Sequence, residues 1–358
     1  MKMNLTDISL LRLLNQQIAA PHFTRAKDLV TWMGAIQAQD YPMSKWAIGL
    51  RTLKASNQSV ETALDKGEIL RTHVLRPTWH IVPSEDIRWM LELTAPNILT
   101  SMRSRHKQLG LTTAMVNKSN TIIEKALKGG HHATREELVK LLEKADIKNE
   151  DNRASHLFAL AELECLICSG TSKENKRTFA LLSERAPKAT SMHKEEALAT
   201  LARRYFQSHA PANLNDFVWW SGLSITDAKH SIEAIKSELH SEIVEGKQYL
   251  FNNKYTSIIE GHSLFLLPAY DEFLIGYKDR SPSLPPGKKG MTISGNGIFY
   301  PLIVLDGQVI GSWKRTKKAN KILAETVFFA KPKNIVRHMM SEAAMRYAEF
   351  LGIEVTVK

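Results

Sequence analysis

The sequence predicts an α+β protein: three successive units, each of three helices and a strand hairpin, then a β-rich, barrel-like C-terminal region. Three observations predict it. Apolar residues recur at helical spacing in short, well-capped stretches as far as about residue 254. Each third helix is followed by β-prone runs around a turn. Beyond residue 254, strand-like runs joined by Gly- and Pro-rich turns take over.

Residues 10–18, 24–36 and 44–53 read as helices, and the β-prone runs 69–75 and 78–82 turn at Arg76-Pro77; together they make a first unit, residues 1–83. Ser84-Glu85-Asp86 caps a helix carrying Trp89, Met90 and Leu93, within a connection of residues 84–111. The second unit, 112–190, is the clearest. A short helix at 120–128 is closed by Gly129-Gly130, and Thr134 with Glu137 has capping-box spacing ahead of Leu138, Leu141 and Leu142. A third helix at 153–167 sets Leu157, Leu160, Ala161 and Leu163 on one side; Ser169-Gly170-Thr171-Ser172 then turns into a strand at 178–182. That order of elements describes a winged helix, with the basic run 173–177 at the wing tip.

The order recurs in residues 191–254. A helix at 195–207 repeats Leu198, Leu201, Ala202 and Tyr205; a second starts at Asn215 or Asp216 and ends at Gly222; a third covers 226–239. A hairpin at 242–251 turns around Glu245-Gly246-Lys247. The three units share an order of elements, not an alignable sequence. In residues 255–358, strands are expected at 263–267, 300–305 and 308–313, with a hairpin at Asp306-Gly307, an amphipathic helix at 334–350 and a last strand at 354–357.

A chain of 358 residues is long enough for several domains, and 43% hydrophobic residues supply a core. Forty-eight Lys and Arg against 37 Asp and Glu leave +11, a balance that favours polyanions or an anionic membrane surface, or simply gives a basic exterior. No run approaches the roughly 20 apolar residues of a membrane helix, and the N-terminus lacks a signal-peptide pattern. Two cysteines exclude a disulfide scaffold, so a reducing cytoplasm is expected.

Few residues suggest chemistry by themselves. In Gln37-Ala38-Gln39 two amides would face the same way on an extended segment and could share one water or sugar; glutamines near helix ends are otherwise mostly solvated. Cys165 and Cys168 have CxxC spacing inside an apolar helix, where packing rather than zinc is expected, His131-His132 being a speculative further ligand source. Asp271, Glu272 and Asp279 could be a metal-nuclease cluster. No second acidic motif accompanies them, so a structural network with Lys278 and Arg280 is preferred and no metal is expected.

Four segments, in order, resemble the AlkZ/YcaQ family of DNA glycosylases. They are Gly34-Ala35-Ile36-Gln37-Ala38-Gln39-Asp40-Tyr41-Pro42 with Lys45-Trp46-Ala47, Arg76-Pro77-Thr78-Trp79-His80-Ile81-Val82, Asp216-Phe217-Val218-Trp219-Trp220-Ser221-Gly222-Leu223, and the block from Leu266-Leu267-Pro268-Ala269-Tyr270-Asp271-Glu272 to Arg280. The resemblance implies three tandem winged helices and a β-barrel around a concave basic surface. It implies catalytic roles for Gln37 and Gln39, whose Gln-x-Gln pattern is that of the AlkZ branch, since the other branch has Asp at the second position. Ala38 is a small occupant of the apolar position between them.

The expected reaction is hydrolysis of the N-glycosidic bond of N7-alkylated purine nucleotides, with interstrand crosslinks as further substrates, by a monofunctional enzyme needing no cofactor. The expected partner is double-stranded DNA carrying alkylated bases, bound by a monomer that stays off membranes and associates with the nucleoid. Asp40 is an alternative base, and Thr78, Trp79 and His80 are expected to support the site; a lone strand histidine is otherwise usually structural. Lys45, Arg71, Arg76, Arg103, Arg105, Lys107, Lys278, Arg280, Lys288, Lys289, Lys314 and Arg315 are the expected DNA contacts. The competing reading is a non-catalytic winged-helix transcriptional regulator, which commonly dimerises on half-sites.

Overall fold

Asn4 caps α1 (Leu5–Asn15), accepting from the Thr6 and Asp7 N–H groups while Asp7 accepts from the Asn4 N–H. In this computed structural model, which describes residues 3–174, 176–252, 261–318 and 321–358, α1 is not part of the first winged helix. The boundary expected at 254/255 and Asn175 of the second wing lie outside the described residues. α1 instead ties distant parts together: Ser9 donates to the Gly307 carbonyl and Arg12 Nε to the Pro211 carbonyl at 3.0 Å.

The first unit is α2 (Ala26–Met33), β1 (Ile36–Gln37), α3 (Tyr41–Leu50), α4 (Asn57–Asp65), β2 (Ile69–His73) and β3 (Trp79–Pro83), its sheet ordered β1-β3-β2. The sequence reading took α1 for the first helix and passed over α4. That helix buries only Val60, Ala63 and Leu64, a short apolar stripe among polar residues, although Ser56 and Ser59 form a capping box.

α5 (Ile87–Gln108) leads to the second unit: α6 (Thr113–Leu127), β4 (Ala133–Thr134), α7 (Arg135–Lys144), α8 (Arg153–Leu163), β5 (Ile167–Ser169) and β6 (Thr178–Leu181), ordered β4-β6-β5, then the single turn α9 (Leu182–Arg185). α8 stops before Ile167 because Cys165 takes a left-handed φ of 58°, which sends Ile167 and Cys168 into a strand. The third unit is α10 (Lys194–His209), α11 (Leu214–Ser221), α12 (Ile225–Ala234), β7 (His240–Val244) and β8 (Lys247–Phe251); a bridge between Ala212 and Leu250 supplies the position that β1 and β4 hold in the other two.

The C-terminal region contains β9 (Leu264–Leu267), α13 (Glu272–Ile275), α14 (Lys289–Thr292), β10 (Leu302–Leu305), β11 (Gln308–Lys318), β12 (Lys321–Phe328), α15 (Asn334–Leu351) and β13 (Glu354–Val357). Its sheet runs β13-β12-β11-β10-β9, antiparallel except for β12 with β13, and among the described residues its two ends do not pair, so it is an open sheet rather than a closed barrel. Asp306 and Gly307 turn β10 into β11 with φ of 48° and 77°. A Cβ on Gly307 would lie 2.2 Å from the Ser9 hydroxyl, so only glycine fits beneath α1.

One apolar core joins the first unit to this sheet: Leu29, Met33, Trp46 and Ile48 pack with Leu266, Val304, Trp313, Tyr347 and Phe350. Gly49 makes the contact possible, since a Cβ there would meet the Phe350 ring at 2.3 Å. A second core runs from Leu70 and Met90 through Tyr205, Phe217 and Trp220 to Tyr277, and a third fills the second unit around Ile123, Leu138 and Phe158. Buried Arg51 clasps Asp271 at 2.7 and 2.9 Å, and Arg12 lies 3.5 Å from Asp216. Among the described residues no helix is long and apolar enough to cross a membrane.

Candidate active site

Strand pairing sets the Gln37–Gln39 segment in place. Gln37 lies opposite His80 on β3, the Ala38 N–H donates to the Trp79 carbonyl at 2.7 Å, and Arg71 Nε donates to the Ala38 carbonyl at 3.0 Å. Asp40 then caps α3 by accepting from the Met43 N–H at 3.1 Å, which turns the chain immediately after Gln39. The two glutamines therefore differ: Gln37 is 3% exposed, whereas Gln39 faces solvent.

Around Gln37 the structure assembles a buried polar cluster. Its Oε1 lies 3.4 Å from both Arg76 Nη2 and Thr78 Oγ1. Its N–H donates to Glu272 Oε1 at 2.7 Å, and the other Glu272 oxygen lies 3.4 Å from His209 Nε2. Burial opposes the Glu272 charge, but the His209 hydrogen bond and the nearby Arg76 charge outweigh it and hold this carboxyl below its ordinary value. The sequence places Glu272 in an acidic trio and in the fourth family-like segment but gives no sign of its link to Gln37, because its partners lie far along the chain.

His80 is fully buried, and burial with the Arg76 charge pushes its pKa down to about 3. It is neutral at ordinary pH, with Nδ1 set 3.1 Å from the Thr78 carbonyl and Nε2 unpartnered. Arg71 Nη2, Arg76 Nε, Trp79 Nε1 and Arg280 Nη2 are also buried without partners. Such atoms are costly to leave unmatched, and four of the five, those of Arg71, Arg76, Trp79 and His80, lie on the first wing, where water or ligand could satisfy them. Burial lowers the Arg280 pKa to about 10, and Arg76, Lys278 and Arg280 sit 5.6, 5.1 and 5.3 Å from the Trp219 ring.

A cleft of about 1640 Å³ opens at Gln39. The first unit contributes Asp40 and Tyr41, the second wing Ser172 and Arg177, and the C-terminal region Tyr270, Tyr300, Lys314 and Arg315. Arg315 reaches Asp40 at 3.5 Å.

Two expected DNA contacts are placed otherwise. Lys45 is 8% exposed and pairs with Glu61 at 2.6 Å. Arg71 is 7% exposed, stacks 4.2 Å from Trp79, and has its pKa lowered to about 9, first by burial and then by Arg177. Both shape the wall of the site, because a charge in sequence does not report its burial. Arg103, Arg105 and Lys107 are exposed toward the C-terminal end of α5, Lys289 and Lys314 are exposed, and Lys288 is half-buried 5.6 Å from the Phe329 ring. Asp271, Glu272 and Asp279 diverge, to Arg51, His209 and Lys247 respectively, rather than binding Arg280 and Lys278. Cys168 is buried, its thiol pKa raised by burial, and both cysteines are free. Among the described residues no group of three or more His, Cys, Asp or Glu could hold a metal.

A family model described as DNA glycosylase AlkZ-like matches residues 30–350. This chain belongs to that family. As an AlkZ-like DNA glycosylase it is similar to the interstrand DNA cross-link repair glycosylase of Streptomyces sahachiroi, with 23% identity over 305 residues, 81% of this chain and 82% of the relative. The solved structure of the S. sahachiroi DNA glycosylase AlkZ superposes with a TM-score of 0.82 at 20% identity, covering 100% of both chains. The AlkZ-like fold, three tandem winged helices with a β-rich C-terminal region, is thus the one the element order predicts.

Proposed function

We propose that this DNA glycosylase hydrolyses the N-glycosidic bond of N7-alkylated purine nucleotides in duplex DNA, interstrand crosslinks included. It does so as a cytoplasmic, nucleoid-associated monomer without metal, organic cofactor or lyase step. One observation carries the reading: Gln39 stands exposed in a wide cleft while Gln37, two residues earlier, is buried with its N–H held by Glu272.

Alkylation at N7 puts positive charge on the purine and makes it a good leaving group. The C1′–N9 bond breaks toward an oxocarbenium-like sugar, water forms the new C1′–O bond, and the water's proton passes to solvent or to Asp40. A strong base is unnecessary, because the attack needs a positioned water and a dipole facing developing positive charge; glutamine carbonyls supply both. Asp40 is already engaged by the Met43 N–H and Arg315, which leaves it a secondary acceptor. A cleft this open suits a lesion that still joins two strands; Arg177 and Lys314 on its wall can meet phosphate, although Asp40, Glu61, Asp65, Glu174 and Glu325 also line it. The cross-link activity in the name of the S. sahachiroi relative fits the same geometry.

The test is incubation with an N7-methylguanine duplex and with an N7-linked interstrand crosslink, followed by assay of free base and alkali-labile sites. Base release, no borohydride-trapped intermediate, and loss of activity in Gln37→Ala and Gln39→Ala are expected. An intact duplex, or strand cuts abolished by chelator, would overturn the reading.

A further inference from the structure

A second cavity, of about 360 Å³, lies between the first wing and the second unit, within the roughly 300–1,000 Å³ of small-molecule sites. Tyr41, Ser172 and Arg177 line both it and the cleft, so the two spaces meet beside the glutamine segment. Trp79 and Phe179 give it aromatic walls.

Its polar groups do not belong to an ordinary core. Glu162 on α8 is 2% exposed, an unusual site for a carboxylate. Its Oε2 faces both the His73 ring Nδ1 and the His73 N–H, the latter at 3.3 Å, while among the described residues Oε1 takes no hydrogen bond. Arg71 and Trp79, which also line the cavity, contribute the buried and unpartnered Nη2 and Nε1 donors.

We propose that this cavity receives a guanine-type base turned out of the duplex, which deepens the glycosylase reading above and rests on it. Guanine's N1–H and N2–H₂ groups form a donor pair that suits a carboxylate, and its O6 accepts from a guanidinium. Glu162 and Arg71 supply those complements, within walls formed in part by Phe179 and by Trp79, on which Arg71 itself stacks. Adenine turns an acceptor, N1, toward the same carboxylate and is disfavoured. Turning a base out suits a monoadduct, whereas a base still tied to the other strand is served by the open cleft.

The experiment titrates free 7-methylguanine, and separately adenine, into the full-length protein and follows tryptophan fluorescence and binding heat. We expect 7-methylguanine to bind, adenine to bind at least about tenfold more weakly, and Glu162→Gln to weaken 7-methylguanine by about tenfold or more. Ser155→Phe, which narrows the cavity from α8, should also weaken it and decides the matter if Glu162→Gln fails to fold. No binding by the wild type, equal binding of adenine, or undiminished binding in the folded variants would overturn the assignment. Base release from the alkylated duplex is assayed in parallel. Release without base binding defeats the cavity alone; absent release defeats the glycosylase reading, whatever the free base does.

Discussion

The first and second winged helices share a strand order, β1-β3-β2 and β4-β6-β5, yet handle charge in opposite ways. The first buries Arg71, His73 and His80 in its wing and leaves Arg71 Nη2 and His80 Nε2 without partners. The second carries Lys173 and Lys176 on an exposed wing tip, where their backbones pair and the Lys173 side chain reaches Glu137 on α7. A fold does not require buried cations, and the second unit manages without them. Where one copy of a shared architecture tolerates that cost, the cost is better explained by function than by folding.

The sharpest way to break this contrast is to compare activity across the units. Gln39→Ala and Gln37→Ala should each reduce single-turnover base release from an N7-methylguanine duplex by about 10²–10³-fold. Thr134→Ala, which removes the cap of α7 in the second unit, should cost about 1 kcal/mol in a urea melt and leave the rate alone. Equal rate losses would end the asymmetry. Next in size, Glu272→Ala strips the acceptor from the Gln37 N–H and the partner from His209, and should destabilise the fold by about 3–5 kcal/mol in the same melt. Glu272→Gln should cost less.

Acid sharpens the comparison further. His80, at about 3 when folded, takes up its proton near 6.5 when unfolded, so its neutral form stabilises the protein above pH 6.5. That stability is lost as pH falls from 6.5 toward 3, by about 1.4 kcal/mol per unit of pH, and His209, also lowered by burial, adds in the same direction. His80→Gln should flatten the fall of Tm over this range; an unchanged slope would show that the histidine is not held neutral. The smallest effect belongs to the exposed wing: Lys173→Ala should leave Tm unchanged and reduce the salt dependence of DNA binding by about one ion.

What the sequence revealed was local. The Thr134–Glu137 capping box, the Asp306-Gly307 turn and Gly222 at the end of α11 each depend on near neighbours, and each stands where expected. The misreadings were tertiary. α1 has a helix's periodicity but serves other units, α4 has too few apolar residues to stand out, and β12 went unread although Ile322 and Ala324 alternate inward. At the site, Gln37 and Gln39 stood out through family resemblance more than through spacing. Glu272 as the anchor of Gln37 was invisible, because nothing in the sequence couples positions 37 and 272. Lys45 and Arg71 looked like phosphate contacts because burial is a property of the folded chain.

The packing of Gly49 against Phe350 bears on how the protein is made. The helices of the first unit find their apolar cover in β9, β10 and α15, which follow much later in the chain. Until those later segments have emerged, the face carrying Met33, Trp46 and Ile48 is open to aggregation or to a chaperone. Loss of α15 would therefore strip the cover from the first unit, far from the site of the cut.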